Sequence, residues 1–282
     1  MNLIKSKYCY TLQDVEFKLP RKSWWALFII LPFAKRISLF IINYTDIKPN
    51  TITLLSFLLA IVAAIFFLKG SHPYLIIAAI LFELNYLFDC VDGSVARVKN
   101  LESPFGAYID WMCDRVRILI LTLTLGYGQW KVNDNILPLV LSAIYLGLNN
   151  LIILSRAIQR RVLDSFLFQE QVGIELVKKN ISYSNKFRKI FSKWLKITYD
   201  KNIMPYYHDV ETDAIVFFIG PLFNKIVPAL VLSIILAGIL VIILNILFLI
   251  SIVGREYEKK ENNNKGCNTS GWRREKIQRR SP

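Results

Sequence analysis

The chain has 282 residues, of which 54% are hydrophobic, and it carries a formal net charge of +14. The apolar residues lie in continuous blocks with the charges between and after them, which excludes a soluble domain and is typical of a polytopic membrane protein. The apolar runs do not alternate with polar residues, so they favour membrane-spanning helices over a β-barrel.

The first apolar block is Trp24–Asn43, which follows a polar N-terminal stretch. Lys35 and Arg36 interrupt its middle, and tryptophans stand at its start. Because this pattern suits the boundary between lipid and water, the block is predicted to be an amphipathic helix lying in the interface. It belongs to a predicted cytoplasmic segment, residues 1–47.

Six further blocks are predicted to span the membrane, which takes about 20 mostly apolar residues per helix. They are Thr51–Leu68, Pro73–Phe88, Ala107–Gly126, Ile136–Ser155, Asp213–Ile226 and Val227–Val253. Pro221 and Pro228 mark the turn between the last two spans. The predicted fold class is therefore all-α integral membrane, with six transmembrane helices in a domain over residues 48–253, preceded by the interfacial helix.

The basic residues predict the orientation of these spans. Eleven Lys and Arg lie between residues 156 and 201, and nine lie between 255 and 280. The connections on the other side hold only Lys69, Lys131 and Lys225. Cytoplasmic connections are enriched in basic residues, so both termini and the long connection 156–212 are predicted in the cytoplasm. The polar tail, 254–282, is predicted to be disordered.

Four aspartates stand where spans two and three meet the predicted cytoplasmic boundary. They are Asp89, Asp92, Asp110 and Asp114. Charge at a membrane is costly unless it is compensated, and each pair has helical spacing that places both carboxylates on one face. Oxygen ligands favour Mg²⁺, Mn²⁺ or Ca²⁺, and two such ions can clamp a phosphoryl group. The alternative is a charge cluster at helix ends, paired with Lys99, Arg115 or Arg117.

The residues between the two pairs add chemistry. Gly93 and Ala96 form a small face that leaves room for a flat group such as a base. Arg97 can meet a phosphate with two parallel hydrogen bonds, although it can also simply reach for the interface. A carboxylate that a metal does not fully engage can act as a general base towards a hydroxyl.

The whole string, D-x2-D-G-x2-A-R-x8-G-x3-D-x3-D from Asp89 to Asp114, resembles the signature of the CDP-alcohol phosphatidyltransferase family. The resemblance implies a six-helix membrane enzyme of phospholipid biosynthesis, typically a homodimer. Such an enzyme uses two Mg²⁺ or Mn²⁺ ions to transfer a substituted phosphoryl group from a CDP-linked lipid donor, with CDP-diacylglycerol favoured, to a small alcohol or alcohol phosphate. CMP is released, the active site faces the cytoplasm, and no nucleic acid is involved.

The resemblance also assigns roles to individual residues. Asp89, Asp92 and Asp110 are implied as metal ligands, and Asp114 as both a ligand and the general base. The residues implied to contact the CDP-linked donor are Asn50, Thr53, Gly93, Ala96, Arg97 and Ser103. Asn50 and Ser103 are equally well explained as caps of a helix or turn.

Further along the chain, His208, Asp209, Glu211 and Asp213 gather before the fifth predicted span. The sequence favours a solvated helix start here over part of an acceptor pocket.

Two other functions fit some of these features. A membrane prenyltransferase of the UbiA type also uses two aspartate-rich motifs, but it places them in well-separated loops. A cation transporter also carries intramembrane carboxylates, but it predicts them in mid-span.

Overall fold

The structure is a computed structural model that describes residues 10–19, 22–166, 193, 196, 198, 204, 207–250 and 252. Every regular element in these ranges is a helix, which confirms the all-helical prediction. The predicted tail, 254–282, lies outside the described residues. The predicted long connection, 156–212, begins as helix up to Phe166, and most of its remainder also lies outside them.

The continuous described ranges form eight helices. They are α1 (Leu12–Phe17), α2 (Ala26–Tyr44), α3 (Pro49–Lys69), α4 (His72–Val98), α5 (Pro104–Asn133), α6 (Leu137–Phe166), α7 (Asp209–Ala214, a π-helical turn Ile215–Ile219, then Gly220–Leu222) and α8 (Ile226–Ile250). At 1.5 Å per residue, α4 is about 40 Å long and α5 about 45 Å. Both exceed the roughly 30 Å hydrocarbon core of a bilayer.

Five of these helices are long and apolar enough to cross a membrane: α2, α3, α4, α6 and α8. The other two predicted spans are not among them, because α5 carries polar residues at both ends and α7 is short and interrupted by a π-helical turn. The five helices indicate an integral membrane protein. The count of six spans and the interfacial placement of α2 stay predictions.

Helix α4 is longer than the span predicted from the sequence. That span ends at Phe88, whereas α4 continues through the aspartate motif to Val98. It ends where Asn100 takes the left-handed conformation (φ 53°) and the Leu101 amide donates to the Ala96 carbonyl at 2.8 Å. Hydrophobicity marks where the lipid-facing part of a helix stops, so it cannot show where the backbone hydrogen bonds stop.

Close backbone packing fixes α5 against α3 at the end away from the motif. Gly70 ends α3 with φ 70°, and the Gln129 side chain donates to its carbonyl at 2.7 Å. A Cβ on Gly128 would lie 2.0 Å from the Phe67 carbonyl oxygen, so only glycine fits there. This contact aligns the two helices that carry Thr53 and Asp114 at their other ends.

Two apolar clusters hold α4 in place. One packs the first half of α4 with α3, α5, α6, α7 and α8 around Phe67, Tyr145 and Phe217, all fully buried. The other packs α2 against the second half of α4, where Ile42 and Val91 are completely buried. Because α2 covers one side of this half and α3 another, the motif lies on a supported helix.

The chain divides into two compact units. The first, Met1–Ile152 with Lys193–Leu240, contains the whole aspartate motif. The second comprises Ile153–Ser192 and Val241–Pro282. Within its described part, Gln159 Nε2 donates to Asn245 Oδ1 at 3.5 Å, and Asn245 donates to the Val241 carbonyl at 2.8 Å.

Candidate active site

The two aspartate pairs face each other across α4 and α5, and Arg117 joins them. Arg117 Nη2 lies 2.7 Å from Asp114 Oδ1, and its Nη1 lies 3.5 Å from Asp89 Oδ1. The charges of all four aspartates are close enough to act on one another. Arg117 thus brings one carboxylate of each pair together, as the sequence predicted for the two pairs.

Helix α3 reaches the cluster through its first turn. Thr53 Oγ1 donates to Asp92 Oδ2 at 2.6 Å, and these residues are only 6% and 4% exposed. The helix begins at Pro49, whose fixed φ suits the first helical position. This start places Thr53 one turn inside, opposite Asp92, so the structure brings the predicted Thr53 into the site.

Arg97 lies back over Gly93 on α4. A Cβ on Gly93 would lie 3.1 Å from Arg97 Nη1, so the missing side chain makes room for the guanidinium. Within the described part of the chain, Arg97 Nε is buried and has no hydrogen-bond partner. A buried guanidinium with a free donor suits an added acceptor such as a phosphate oxygen. Ala96 adjoins Arg97 and is partly buried.

Ser103 lies at the start of α5, and Asn50 in the first turn of α3 lies beside that start. Ser103 Oγ accepts a hydrogen bond from the Gly106 amide at 3.0 Å, which makes Ser103 the N-cap of the helix. A Cβ on Gly106 would lie 3.2 Å from Asn50 Oδ1, so this glycine admits the exposed Asn50 side chain. The capping interpretation of Ser103 is thus confirmed, and donor binding by either residue stays a prediction.

The carboxylates are of the right kind for a metal ion, but their protein partners hold them. Asp89 and Asp114 each form a salt bridge with Arg117 through one oxygen, and one oxygen of Asp92 accepts a hydrogen bond from Thr53. Among the residues that the structure describes, no three His, Cys, Asp or Glu side chains converge closely enough to hold a metal. Four carboxylates fit a hard divalent cation by donor chemistry. Binding such an ion therefore requires these side chains to come closer together.

Asn85 is a residue of the site that the sequence did not predict. Asn85 is fully buried and accepts from Arg117 Nη1 at 2.9 Å, while its own Nδ2 donates to the Ser56 carbonyl at 2.6 Å. Arg117 is 8% exposed. Arg117 was predicted as a possible partner of the aspartates, and it does pair with Asp89 and Asp114. The signal was present, because an Asn or Arg inside an apolar run marks a functional position in a membrane protein.

A second polar network joins α5, α6 and α7 in the same unit. The Tyr145 hydroxyl donates to Asp213, and Asn149 Nδ2 donates to the same carboxylate at 3.1 Å. Arg115 Nη1 donates to Asn149 Oδ1 at 3.5 Å. The predicted helix start is present, since α7 begins at Asp209 after its N-cap His208. Asp213 is bonded inside the bundle, so its predicted exposure to solvent was wrong, because the sequence does not reveal the partners on α6.

A comparison with known protein families gives a match over part of the chain. Residues 46–174 match the family model described as CDP-alcohol phosphatidyltransferase, and this range covers α3 to α6 and every position of the aspartate motif. The resemblance found in the sequence is thereby confirmed over these residues, which are similar to a family of phosphotransferase enzymes. Helices α7 and α8 lie outside the matched range.

Particular relatives share parts of the sequence. Phosphatidylinositol phosphate synthase of Corynebacterium glutamicum is 40% identical over 70 residues, which is 25% of this chain and 31% of the relative. The bifunctional IPC transferase and DIPP synthase of Thermococcus kodakarensis is 38% identical over 69 residues, 24% of this chain and 15% of the relative. The matches thus span less than a third of either relative's length. The crystal structure of Mycobacterium tuberculosis phosphatidylinositol phosphate synthase with CDP-DAG bound aligns with a TM-score of 0.41 at 20% identity, covering 74% of this chain and 90% of that one.

Proposed function

We propose that this protein transfers a phosphatidyl group from a CDP-linked lipid donor, with CDP-diacylglycerol the first candidate, to a small alcohol or alcohol phosphate. The phosphorus–oxygen bond to CMP breaks, a bond to the acceptor oxygen forms, and the hydroxyl proton leaves to a protein base. One observation carries the proposal: Arg117 and Thr53 join both aspartate pairs and α3 into a single cluster at the family's motif positions.

In this proposal Asp114 accepts the proton. Its Oδ1 is held by Arg117 and its side chain is 27% exposed, so Oδ2 is the oxygen that faces an incoming hydroxyl. Arg97 contacts the phosphates of the CDP-linked lipid through its Nε. This hydrogen-bond donor has no protein partner among the described residues. Gly93 admits the Arg97 guanidinium, and the cytidine is proposed to lie beside the small side chain of Ala96. Asn50 and Ser103 lie near the start of α5.

The proposal includes a divalent cation requirement. Asp89, Asp92, Asp110 and Asp114 would hold two Mg²⁺ or Mn²⁺ ions. When bound, these ions offset the charge of the pyrophosphate and of the leaving CMP. The chemistry of the ligands supports this requirement, since four carboxylates need a counter-charge before the anionic CDP-linked lipid can approach.

The acceptor is proposed from the name of one relative. The Corynebacterium glutamicum protein is called phosphatidylinositol phosphate synthase. An inositol phosphate is therefore the first acceptor to supply, with glycerol phosphate and serine as comparisons. A homodimer, a cytoplasm-facing site and cytoplasmic termini also belong to the proposal, the orientation being supported by the distribution of basic residues.

The test is CMP release by purified protein in lipid or detergent. The protein is incubated with CDP-diacylglycerol, Mn²⁺ or Mg²⁺ and each acceptor in turn, and CMP and the lipid product are measured by mass spectrometry. We expect CMP with at least one acceptor, and none after EDTA. If no acceptor yields CMP, the reaction is wrong. Turnover that persists in EDTA would contradict the metal requirement alone.

The competing functions predict other results in the same preparation. A prenyltransferase would consume a prenyl diphosphate and release diphosphate instead of CMP. A transporter reconstituted in vesicles would move a cation without any chemistry. The placement of both aspartate pairs on two packed helices weighs against the prenyltransferase, whose motifs lie in well-separated loops.

A further inference from the structure

Arg117 lies between the two aspartate pairs but outside the motif that identifies the family. It follows Asp114 by one helical turn on α5 and is 8% exposed. Its guanidinium contacts one carboxylate from each pair: Asp114 on its own helix and Asp89 on α4. A single cation thus neutralises charge from both halves of the site.

A relay of hydrogen bonds fixes this guanidinium in position. Arg117 Nη1 donates to Asn85 Oδ1 at 2.9 Å, and Asn85 Nδ2 donates to the Ser56 carbonyl at 2.6 Å. Asn85 is 0% exposed and Ser56 is 3% exposed, so water does not compete for these bonds. The relay runs from the backbone of α3 through α4 to α5, and it sets the direction from which Arg117 approaches the carboxylates.

Physical chemistry gives this cation a clear task. Two carboxylates that face each other in a largely buried site repel, and leaving a buried charge unpaired is strongly destabilising. A divalent ion bound by the same carboxylates would supply the counter-charge that Arg117 supplies here. The two cations therefore compete for the same negative charge, and the Oδ1 atoms of Asp89 and Asp114 are already engaged.

We propose that Arg117 is a positioning residue, an internal counter-cation that holds Asp89 and Asp114 in register in the metal-free protein and moderates the affinity of the site for divalent ions. The proposal rests on the metal-binding part of the proposed function. It predicts a stable metal-free state in which the base Asp114 is already oriented. It also predicts a metal affinity lower than four free carboxylates would give.

Mn²⁺ binding without any substrate tests this directly. Purified full-length protein, stripped with EDTA and then freed of chelator, is mixed with Mn²⁺, and free Mn²⁺ is measured by electron paramagnetic resonance. Arg117→Met should bind Mn²⁺ at least about tenfold more tightly than the unsubstituted protein, because a full positive charge beside the site no longer opposes the ion. Arg117→Lys keeps the charge and should stay within about threefold of the unsubstituted protein. Lys131→Met, which removes an exposed charge near the far end of α5, should leave binding unchanged.

Thermal unfolding in EDTA gives a second readout that a packing role would not reproduce. Arg117→Met should unfold at a lower temperature than the unsubstituted protein, and Mn²⁺ should raise its unfolding temperature by more. Adding Asp89→Asn to Arg117→Met should restore part of the unfolding temperature measured in EDTA, since it removes the repulsion between Asp89 and Asp114. If Arg117→Met does not accumulate as folded protein, the double variant is decisive. Accumulation of the folded double variant supports the pairing of Arg117 with Asp89, and its failure to accumulate overturns that pairing.

The outcomes separate this inference from the proposed function. Equal Mn²⁺ affinity in Arg117→Met and the unsubstituted protein, or additive stability effects with Asp89→Asn, overturns the counter-cation role while leaving the reaction intact. If none of the proteins binds Mn²⁺, both the counter-cation role and the metal requirement are wrong. CMP release is then measured separately to decide the reaction itself.

Discussion

The hydrogen bond from Thr53 to Asp92 offers a sharp test of how α3 is attached to the site. Thr53→Val keeps the shape of the side chain and removes the hydroxyl that donates to Asp92 Oδ2 at 2.6 Å. A hydrogen bond to a charged group contributes about 1.5–3 kcal/mol, and both residues are nearly inaccessible to water. At roughly 2–4 °C per kcal/mol for a protein of this size class, the unfolding temperature should fall by about 3–12 °C.

Thr53→Ser is the matched control, because it keeps the hydroxyl and removes one methyl. Burying a methyl contributes about 0.8 kcal/mol, so Thr53→Ser should cost clearly less than Thr53→Val. Both variants are compared by thermal unfolding of purified protein in one detergent and in EDTA. If Thr53→Ser destabilises as much as Thr53→Val, methyl packing and not the bond to Asp92 holds α3 here.

Two further predictions concern the fold and the orientation. Gly128→Ala should lower the unfolding temperature, because a Cβ there would lie 2.0 Å from the Phe67 carbonyl oxygen. The control Gly147→Ala, where a Cβ would meet nothing within 4 Å, should leave the unfolding temperature unchanged or raise it, since alanine has the better helix propensity. Equal effects of the two substitutions would refute the packing argument. In a background without the four native cysteines, Asn135→Cys should react with a membrane-impermeant maleimide in intact cells and Glu102→Cys only after permeabilisation. The opposite labelling pattern would invert the predicted topology.

The sequence predicted that the two aspartate pairs face each other, and it predicted the helix ends less well. Helical spacing places both members of a pair on one face, and Arg117 brings one member of each pair together. The continuation of α4 to Val98 was missed because the end of an apolar run and the end of a helix are set by different forces.

The partners of the carboxylates could not be predicted in the same way. The bonds from Asn85 to Ser56, from Arg117 to Asp89 and from Tyr145 to Asp213 each connect separate helices. Such contacts depend on how the helices rotate about their axes, which one sequence does not determine. The isolated polar residues were visible in the apolar runs, but which of them meet was not.

The central claim is that Asp114 accepts the proton of the acceptor hydroxyl while a CDP-linked donor releases CMP. The most direct measurement compares CMP release by Asp114→Asn with that by Asp134→Asn, the same change at an exposed residue just beyond the other end of α5. Both variants are first shown to unfold at a similar temperature. We expect Asp114→Asn to lose roughly 100-fold or more of the rate, the usual contribution of a general base, and Asp134→Asn to keep it. Equal rates of CMP release in the two variants would contradict the assignment.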